Sequence, residues 1–334
     1  MKTELKTWAE HEDGKFLQDY QKQMKKTRSN AAKTAMVREF QHIVPISPSD
    51  LDTHKSLVNT QNGIVDLDTG TTVPHNPKMY MTRMLGTSMP VNPKKPVLWL
   101  RFLDDIFGDD KELIRYIQKS IGYCLSGLTS EQCVFFLYGN GRNGKSTFLE
   151  IIRAILGEYA TNIQPESIMV KNSNNSANTD IARLKGARLV TSVEPNEGMR
   201  LNEGLIKQLT GDDMVTARKL YGDEFEYRPE FKLWLATNHK PTIRGTDLIP
   251  FTKIIPEEKV DKNLGEKLRE EMPDILAWAM DGYRLWKYEG LHKPKAVEDS
   301  VREYRNEMDV IAAFLASDYI AEGGEIKASV LYAV

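Results

Sequence analysis

Gly139-Asn140-Gly141-Arg142-Asn143-Gly144-Lys145-Ser146 decides the fold. The stretch fits G-x-x-x-x-G-K-[ST], a loop that cradles nucleotide phosphates. The spacing has a chemical reason. Glycines let the backbone curl so that successive N–H groups point inward at phosphate oxygens. Lys145 can then reach the β- and γ-phosphates, and the Ser146 hydroxyl can ligate Mg²⁺. Thr147 completes a candidate cofactor-binding stretch over residues 139–147. Upstream, Cys133-Val-Phe-Phe-Leu-Tyr138 is a short apolar run and reads as a buried strand. Downstream, Phe148-Leu149, Ile151-Ile152 and Ile155-Leu156 recur at helical spacing until Gly157. Strand, loop and helix in that order predict an α/β fold around this loop.

Composition narrows the class. The 334 residues are 40% hydrophobic, so a full core is available, and the formal net charge is −2. A chain with that balance does not advertise nucleic acid as a whole, but local clusters can still build a basic channel. Two cysteines, Cys124 and Cys133, exclude a disulfide framework and a cysteine-based zinc site. No apolar run is long enough to span a membrane and no signal peptide opens the chain, so the protein reads as soluble and intracellular.

In chain order, residues 1 to about 44 read as helix. Lys22, Lys25, Lys26, Arg28, Lys33 and Arg38 form a basic run there, either a contact for DNA phosphates or a solvated helix face. Asn62-Gly63 between apolar runs predicts a hairpin, and Asp68-Thr69-Gly70 a second turn. Asp66 and Asp68 read as turn acids rather than a metal pair. Trp99–Ser126 reads as helix. Ala187–Val193 reads as a second core strand, ending at Glu194, where a carboxylate can hold Mg²⁺ and orient an attacking water. Glu197 is a weaker rival. Val215–Leu220 and Phe225–Arg228 read as a hairpin with Arg218, Lys219 and Tyr221 near its tip. Two cations and an aromatic suit phosphate contact and base stacking along a single strand; a hairpin edge protected by lysine is the alternative. Phe231–Thr237 reads as a third core strand ending in Asn238, which can hydrogen-bond the water or the γ-phosphate. Arg244 is a candidate for reaching a neighbouring subunit's phosphate, or simply a loop arginine. Leu264–Trp286 carries apolar residues at three and four and reads as a helical lid, and a second apolar helix, Val301–Leu315, follows.

Taken together, Gly139–Ser146, Glu194, Asp180-Ile-Ala-Arg-Leu-Lys-Gly-Ala-Arg-Leu-Val190, Leu205-Ile-Lys-Gln-Leu-Thr-Gly-Asp212 and Trp234-Leu-Ala-Thr-Asn-His-Lys-Pro241 resemble one family. This is superfamily 3 helicases, specifically the C-terminal helicase part of phage and plasmid primase–helicases related to the poxvirus helicase–primase. The resemblance implies an AAA+-like P-loop ATPase core over 128–260. Before it would stand a mainly helical domain, 1–127, and after it a C-terminal helical region, 261–334, whose last helix reads as cut short. It implies ATP and Mg²⁺ as cofactors, single-stranded and replication-fork DNA as partner, and a homo-oligomeric ring, usually hexameric. A primase part or protein would work alongside, without a membrane, in the cytoplasm of a bacterial host. Lys145 and Ser146 match the Walker A pair, Glu194 the Walker B carboxylate and Asn238 the sensor. Arg218 and Lys219 fall in the DNA-hairpin region. One departure matters: Thr246-Asp247 joins directly to Leu248-Ile-Pro-Phe251 where the family carries a Trp-Arg-Arg run. That leaves Arg244 as the remaining candidate for a trans-acting arginine. Without one, the chain would be an ATP-binding assembly or loading ring with little unwinding.

Overall fold

The computed structural model describes residues 14–170, 179–193, 201–220, 222–238 and 247–308. The chain divides into two compact units, 1–53 and 54–334. In the first unit, α1 (Gly14–Thr27) and α2 (Asn30–Ile43) replace the single helix that the sequence predicts. Ser29 causes the break: its hydroxyl accepts from the Ala32 N–H at 3.2 Å and so caps a new helix.

The second unit opens with a small antiparallel sheet, β1 (Leu57–Thr60), β2 (Gly63–Asp66) and β3 (Thr72–Val73). Thr60 pairs with Gly63, so Gln61-Asn62 form the turn of the predicted hairpin. Asp66 and Asp68 are turn acids. The Asp66 carboxylate accepts from the Asp68 and Thr69 N–H groups at 2.8 and 3.2 Å. Asp68 receives the Tyr283 hydroxyl at 2.8 Å. The predicted Trp99–Ser126 helix is likewise two, α3 (Val97–Phe107) and α4 (Lys111–Leu125). Gly108 and Asp109 take positive φ between them, and Asp110 caps α4.

The central sheet holds five parallel strands. These are β4 (Val134–Tyr138), β5 (Ala160–Asn162), β6 (Leu189–Val193), β9 (Lys232–Thr237) and β10 (Asp247–Pro250). Their order is β10-β4-β9-β6-β5, with all pairings parallel. The three strands predicted from apolar runs are all present. A parallel sheet covered on both faces needs such continuous runs, because neither face meets water. β10 and β5 were not predicted. β10 holds only three apolar residues before Phe251 and includes Pro250, which an edge strand tolerates at its end.

α5 (Lys145–Leu156) follows β4 and packs on one face of the sheet. The short α6 (Thr179–Ala182), α7 (Glu203–Thr210) and the hairpin β7 (Val215–Arg218)/β8 (Glu224–Tyr227) bring side chains to the other face. The predicted long lid is divided at Glu271 into α8 (Leu264–Glu270) and α9 (Met272–Glu289). α10 (Lys295–Met308) packs on β10. α9 lies along α4, and both share a core with α3 and α5. An aromatic cluster ties that core together. Trp99 of α3 stacks on Phe148 of α5, with centroids 5.8 Å apart and planes at 15°. Phe135 meets Trp234 at 4.5 Å, and Phe107 meets Phe251 at 4.9 Å. Each such ring, fully buried, contributes about 1.5–3 kcal/mol by removal from water.

Candidate nucleotide-binding site

The loop between β4 and α5 is braced from both sides in sequence. Gly139 leaves β4 with φ +155°, and a Cβ there would lie 2.1 Å from the Phe251 carbonyl oxygen. The Asn143 side chain donates Nδ2 to that same carbonyl at 2.9 Å. The Ile255 N–H donates to the Arg142 carbonyl at 2.9 Å. The segment leaving β10 therefore walls one side of the loop. Gly144 precedes α5 with φ +84°, and a Cβ there would meet Ile106 Cγ2 at 2.9 Å and Phe102 Cε2 at 3.1 Å. α3 therefore supports the loop from below. Gly141 differs: a Cβ there would meet nothing within 4 Å. Among the described residues no neighbour requires glycine at that position.

Lys145 is the first residue of α5 and is buried. Its ammonium donates to the Gly139 carbonyl, and at 3.1 Å to both Asn143 Oδ1 and Asn238 Oδ1. Strand order makes the last contact possible. β9 lies directly beside β4, and Thr237 pairs with Tyr138, so Asn238 emerges next to the loop. β6 lies on the far side of β9, and Val193 pairs with Ala236 at the same edge. α5 has no side-chain cap at its N-terminus. Its uncapped N–H groups, its dipole and the Lys145 charge concentrate positive potential at one point, a setting for an anion. Asn140, Gly141, Arg142 and Ser146 are exposed at the surface of the loop, and Thr147 is half-buried. Arg142 faces Glu257 at 3.6 Å, but both are mostly exposed, so the pair contributes little to stability.

The structure thus brings together residues 139–147 and Asn238. Glu194, Tyr221 and Arg244 lie outside the described residues, as does Glu197. Arg218 and Lys219 stand on the β7/β8 hairpin, both exposed. Arg218 Nε donates to the Gly222 carbonyl at 3.0 Å, and the Lys219 ammonium lies 5.9 Å from the Phe225 ring centroid. Among the described residues no cluster of three or more His, Cys, Asp or Glu side chains could hold a metal. Sequence reasoning missed three supports of the loop: the Phe251 carbonyl, the Asn143 amide that reads it, and α3 beneath Gly144. The Asn in the loop was visible, but its partner lies 108 residues away.

Residues 1–108 match a family described as D5 N terminal like, and residues 137–249 match a family of unknown function. "Putative helicase L207/L206" of Acanthamoeba polyphaga mimivirus is 28% identical over 337 residues, covering 92% of this chain and 35% of the relative. "Primase D5" of Fowlpox virus is 26% identical over 156 residues, 44% of this chain and 19% of the relative. The chain therefore spans about a third or less of the length of these relatives. A solved structure titled the A form apo structure of NrS-1 C terminal region-CTR superposes with a TM-score of 0.55 at 13% identity, covering 90% of this chain and 76% of that one. At that identity the likeness is one of fold. The viral relatives infect eukaryotes and give the expected bacterial host no support. No described helix is long and apolar enough to cross a membrane. The resemblance to the helicase part of poxvirus-type primase–helicases of superfamily 3 is borne out: this chain is similar in sequence to the D5-like helicases and primases of large DNA viruses.

Proposed function

We propose that this chain is the ATP-driven motor part of a replicative DNA helicase, working as a ring on single-stranded DNA. One observation carries the reading: Lys145, at the uncapped start of α5, shares a hydrogen bond with Asn238 from the adjacent parallel strand. A loop that cradles phosphate and a polar residue beside it are what a nucleotide-hydrolysing site requires.

The residues fit Mg·ATP. Gly141 leaves room for phosphate to approach the backbone, and Mg²⁺ in such sites rests on one or two protein groups plus phosphates rather than on a protein cage. The bound nucleotide would supply the phosphoanhydride whose cleavage drives motion. Lys145 would exchange the Gly139 carbonyl and the two Asn oxygens for phosphate oxygens. The Ser146 hydroxyl and Glu194 would hold the metal, and Glu194 would take a proton from the attacking water. Asn238, released from Lys145, would orient that water. Arg244 would serve a neighbouring subunit's site. Arg218, Lys219 and Tyr221 on the hairpin would follow the DNA strand. A hexameric ring, a replication fork as substrate and a primase partner belong to the same proposal.

ATP hydrolysis with and without single-stranded DNA tests it. Lys145→Ala is expected to abolish the DNA-stimulated rate, and Asn238→Ala to lower kcat by about 10²–10³-fold, the usual cost of one positioned polar group. Intact stimulated hydrolysis in Lys145→Ala would end the proposal. A second reading, a ring that binds ATP and loads DNA without unwinding it, draws on the direct join of Asp247 to Leu248 within β10, at the point where the resembled family carries its Trp-Arg-Arg run. Strand separation by the purified chain would exclude it.

A further inference from the structure

The basic run near the N-terminus has properties in the structure that its sequence alone did not decide. Residues 14–43 hold Lys15, Lys22, Lys25, Lys26, Arg28, Lys33 and Arg38 against only Asp19 and Glu39, a formal charge of +5. The whole chain carries −2, so the remainder carries −7. This segregation is far from an even mixture of signs. Lys22, Lys25, Lys26, Arg28, Lys33 and Arg38 are all exposed, and among the described residues none of them enters an ion pair. Lys22, Lys25 and Lys26 stand at i, i+3 and i+4 of α1 and so share one face. Like charges at that spacing destabilise a helix by a few tenths of a kcal/mol each. Lys25 and Lys26 lie in the last turn of α1, where the helix dipole favours cations; Lys22 lies outside that turn, with Asp19 three residues before it.

From this arrangement we infer that the α1–α2 arm is a nucleic-acid contact in its own right, one that grips the phosphodiester backbone. The site is distinct from the β7/β8 hairpin. A row of unpaired, exposed cations on a helix face, segregated from an acidic remainder, fits a polyanion, and each cation that meets a phosphate releases a counterion. The contact carries no base readout, because the cations are lysines and arginines on an open helix face rather than side chains framed in a pocket. A membrane surface fits less well. A helix that lies in a lipid interface pairs its lysines with a strong apolar face. On α1, which holds most of the cations, Phe16 and Tyr20 are the large exposed apolar residues, too few for a strong apolar face, whereas Met36, Val37, Phe40 and Ile43 are on α2.

The test measures affinity of the full chain, without nucleotide, for a mixed-sequence DNA duplex and for its single strand, across a range of salt concentrations. The variants are Lys22→Gln/Lys25→Gln/Lys26→Gln and, for rescue, the same three positions changed to Arg. In the Gln variant the slope of log affinity against log salt is expected to fall by about 2–3 for duplex, at roughly 0.9 per phosphate contact. The Arg variant is expected to keep the parent slope, since charge and not a lysine-specific contact is the cause. The difference should persist in Arg218→Ala/Lys219→Ala, which separates the arm from the hairpin, and in Lys145→Ala, which separates it from the motor. An unchanged slope in the Gln variant overturns the inference. So does binding of the parent chain to phosphatidylserine vesicles that is lost in the Gln variant and kept in the Arg variant with no change in DNA binding, which would assign the arm to lipid.

Discussion

Glu271→Ala should loosen the floor of the candidate site from a distance. Pro96 precedes α3 and offers no side-chain cap. Glu271, between α8 and α9, does the capping instead. Its Oε1 accepts from the Leu98 N–H at 3.0 Å and its Oε2 from the Trp99 N–H at 2.9 Å. Both are charge-assisted bonds to helix N–H groups that have no acceptor within the helix. A hydrogen bond to a charged group contributes about 1.5–3 kcal/mol net, and a lost N-cap costs about 0.5–2 kcal/mol. Glu271 is only half-buried, so water recovers part of the loss in the variant. We therefore expect about 2–3 kcal/mol of destabilisation for Glu271→Ala and roughly half that for Glu271→Gln, which keeps one good acceptor. Urea unfolding at fixed protein concentration reads this as a lower midpoint with an unchanged slope. Because Phe102 and Ile106 of α3 pack beneath Gly144, nucleotide affinity should fall in parallel. A midpoint within about 0.5 kcal/mol of the parent, the range of an ordinary surface substitution, would refute the capping argument.

Two further outcomes follow from other parts of the fold. Gly141→Ala should leave thermal stability unchanged, because nothing among the described residues lies within 4 Å to oppose a methyl group there, yet weaken nucleotide binding. Equal affinity by titration would show that phosphate does not approach that part of the loop. Lys232 should give stability a measurable pH dependence. Its ammonium is buried, donates to the Leu128 carbonyl at 3.1 Å as well as to that of Ser126, and lies over Tyr123. Burial pulls its pKa down to about 7 from the ordinary 10.5, against carbonyls that favour the charge. A lowered folded value means that the unfolded chain binds more protons above that pH, so this contribution rises from about pH 7 towards 10.5. Above about pH 8.5 the raised thiols of Cys124 and Cys133 act in the opposite sense, so the clean window lies between. Stability should therefore climb from pH 7 to 8.5 in the parent and stay flat in Lys232→Met. A climb that survives the substitution would assign it elsewhere.

What the sequence made legible follows from the range of the interactions involved. The loop, its strand and its helix are local patterns, and so are β6 and β9, whose apolar runs reflect burial on both faces. The hairpin β7/β8 was readable because its turn residues interrupt alternating strands. β10 was not, because a three-residue apolar run ending in Pro250 carries no periodic signal; its pairing with β4 is a property of the assembled sheet. The helix breaks at Ser29 and Gly108 were visible as residue types but were outweighed by continuous apolar periodicity on either side. In the candidate site, Lys145 was readable from the spacing of the loop and Asn238 from the end of an apolar strand. The Phe251 carbonyl and the Glu271 cap were not. Backbone atoms have no sequence signature, and a cap supplied from 172 residues away leaves no local trace.

The shared core of α3, α4, α5 and α9 sets a limit on how far the chain can be shortened. A fragment cut at residues 128 and 260 would keep the loop, β4 and α5. It would strip Trp99 and Phe107 from Phe148 and Phe251, and remove Ile106 from beneath Gly144. The bared face of α5 would then be an aggregation surface rather than the wall of a site. The compact unit that carries the loop begins at His54, so truncation experiments should move the N-terminal arm as a whole and leave everything after it intact.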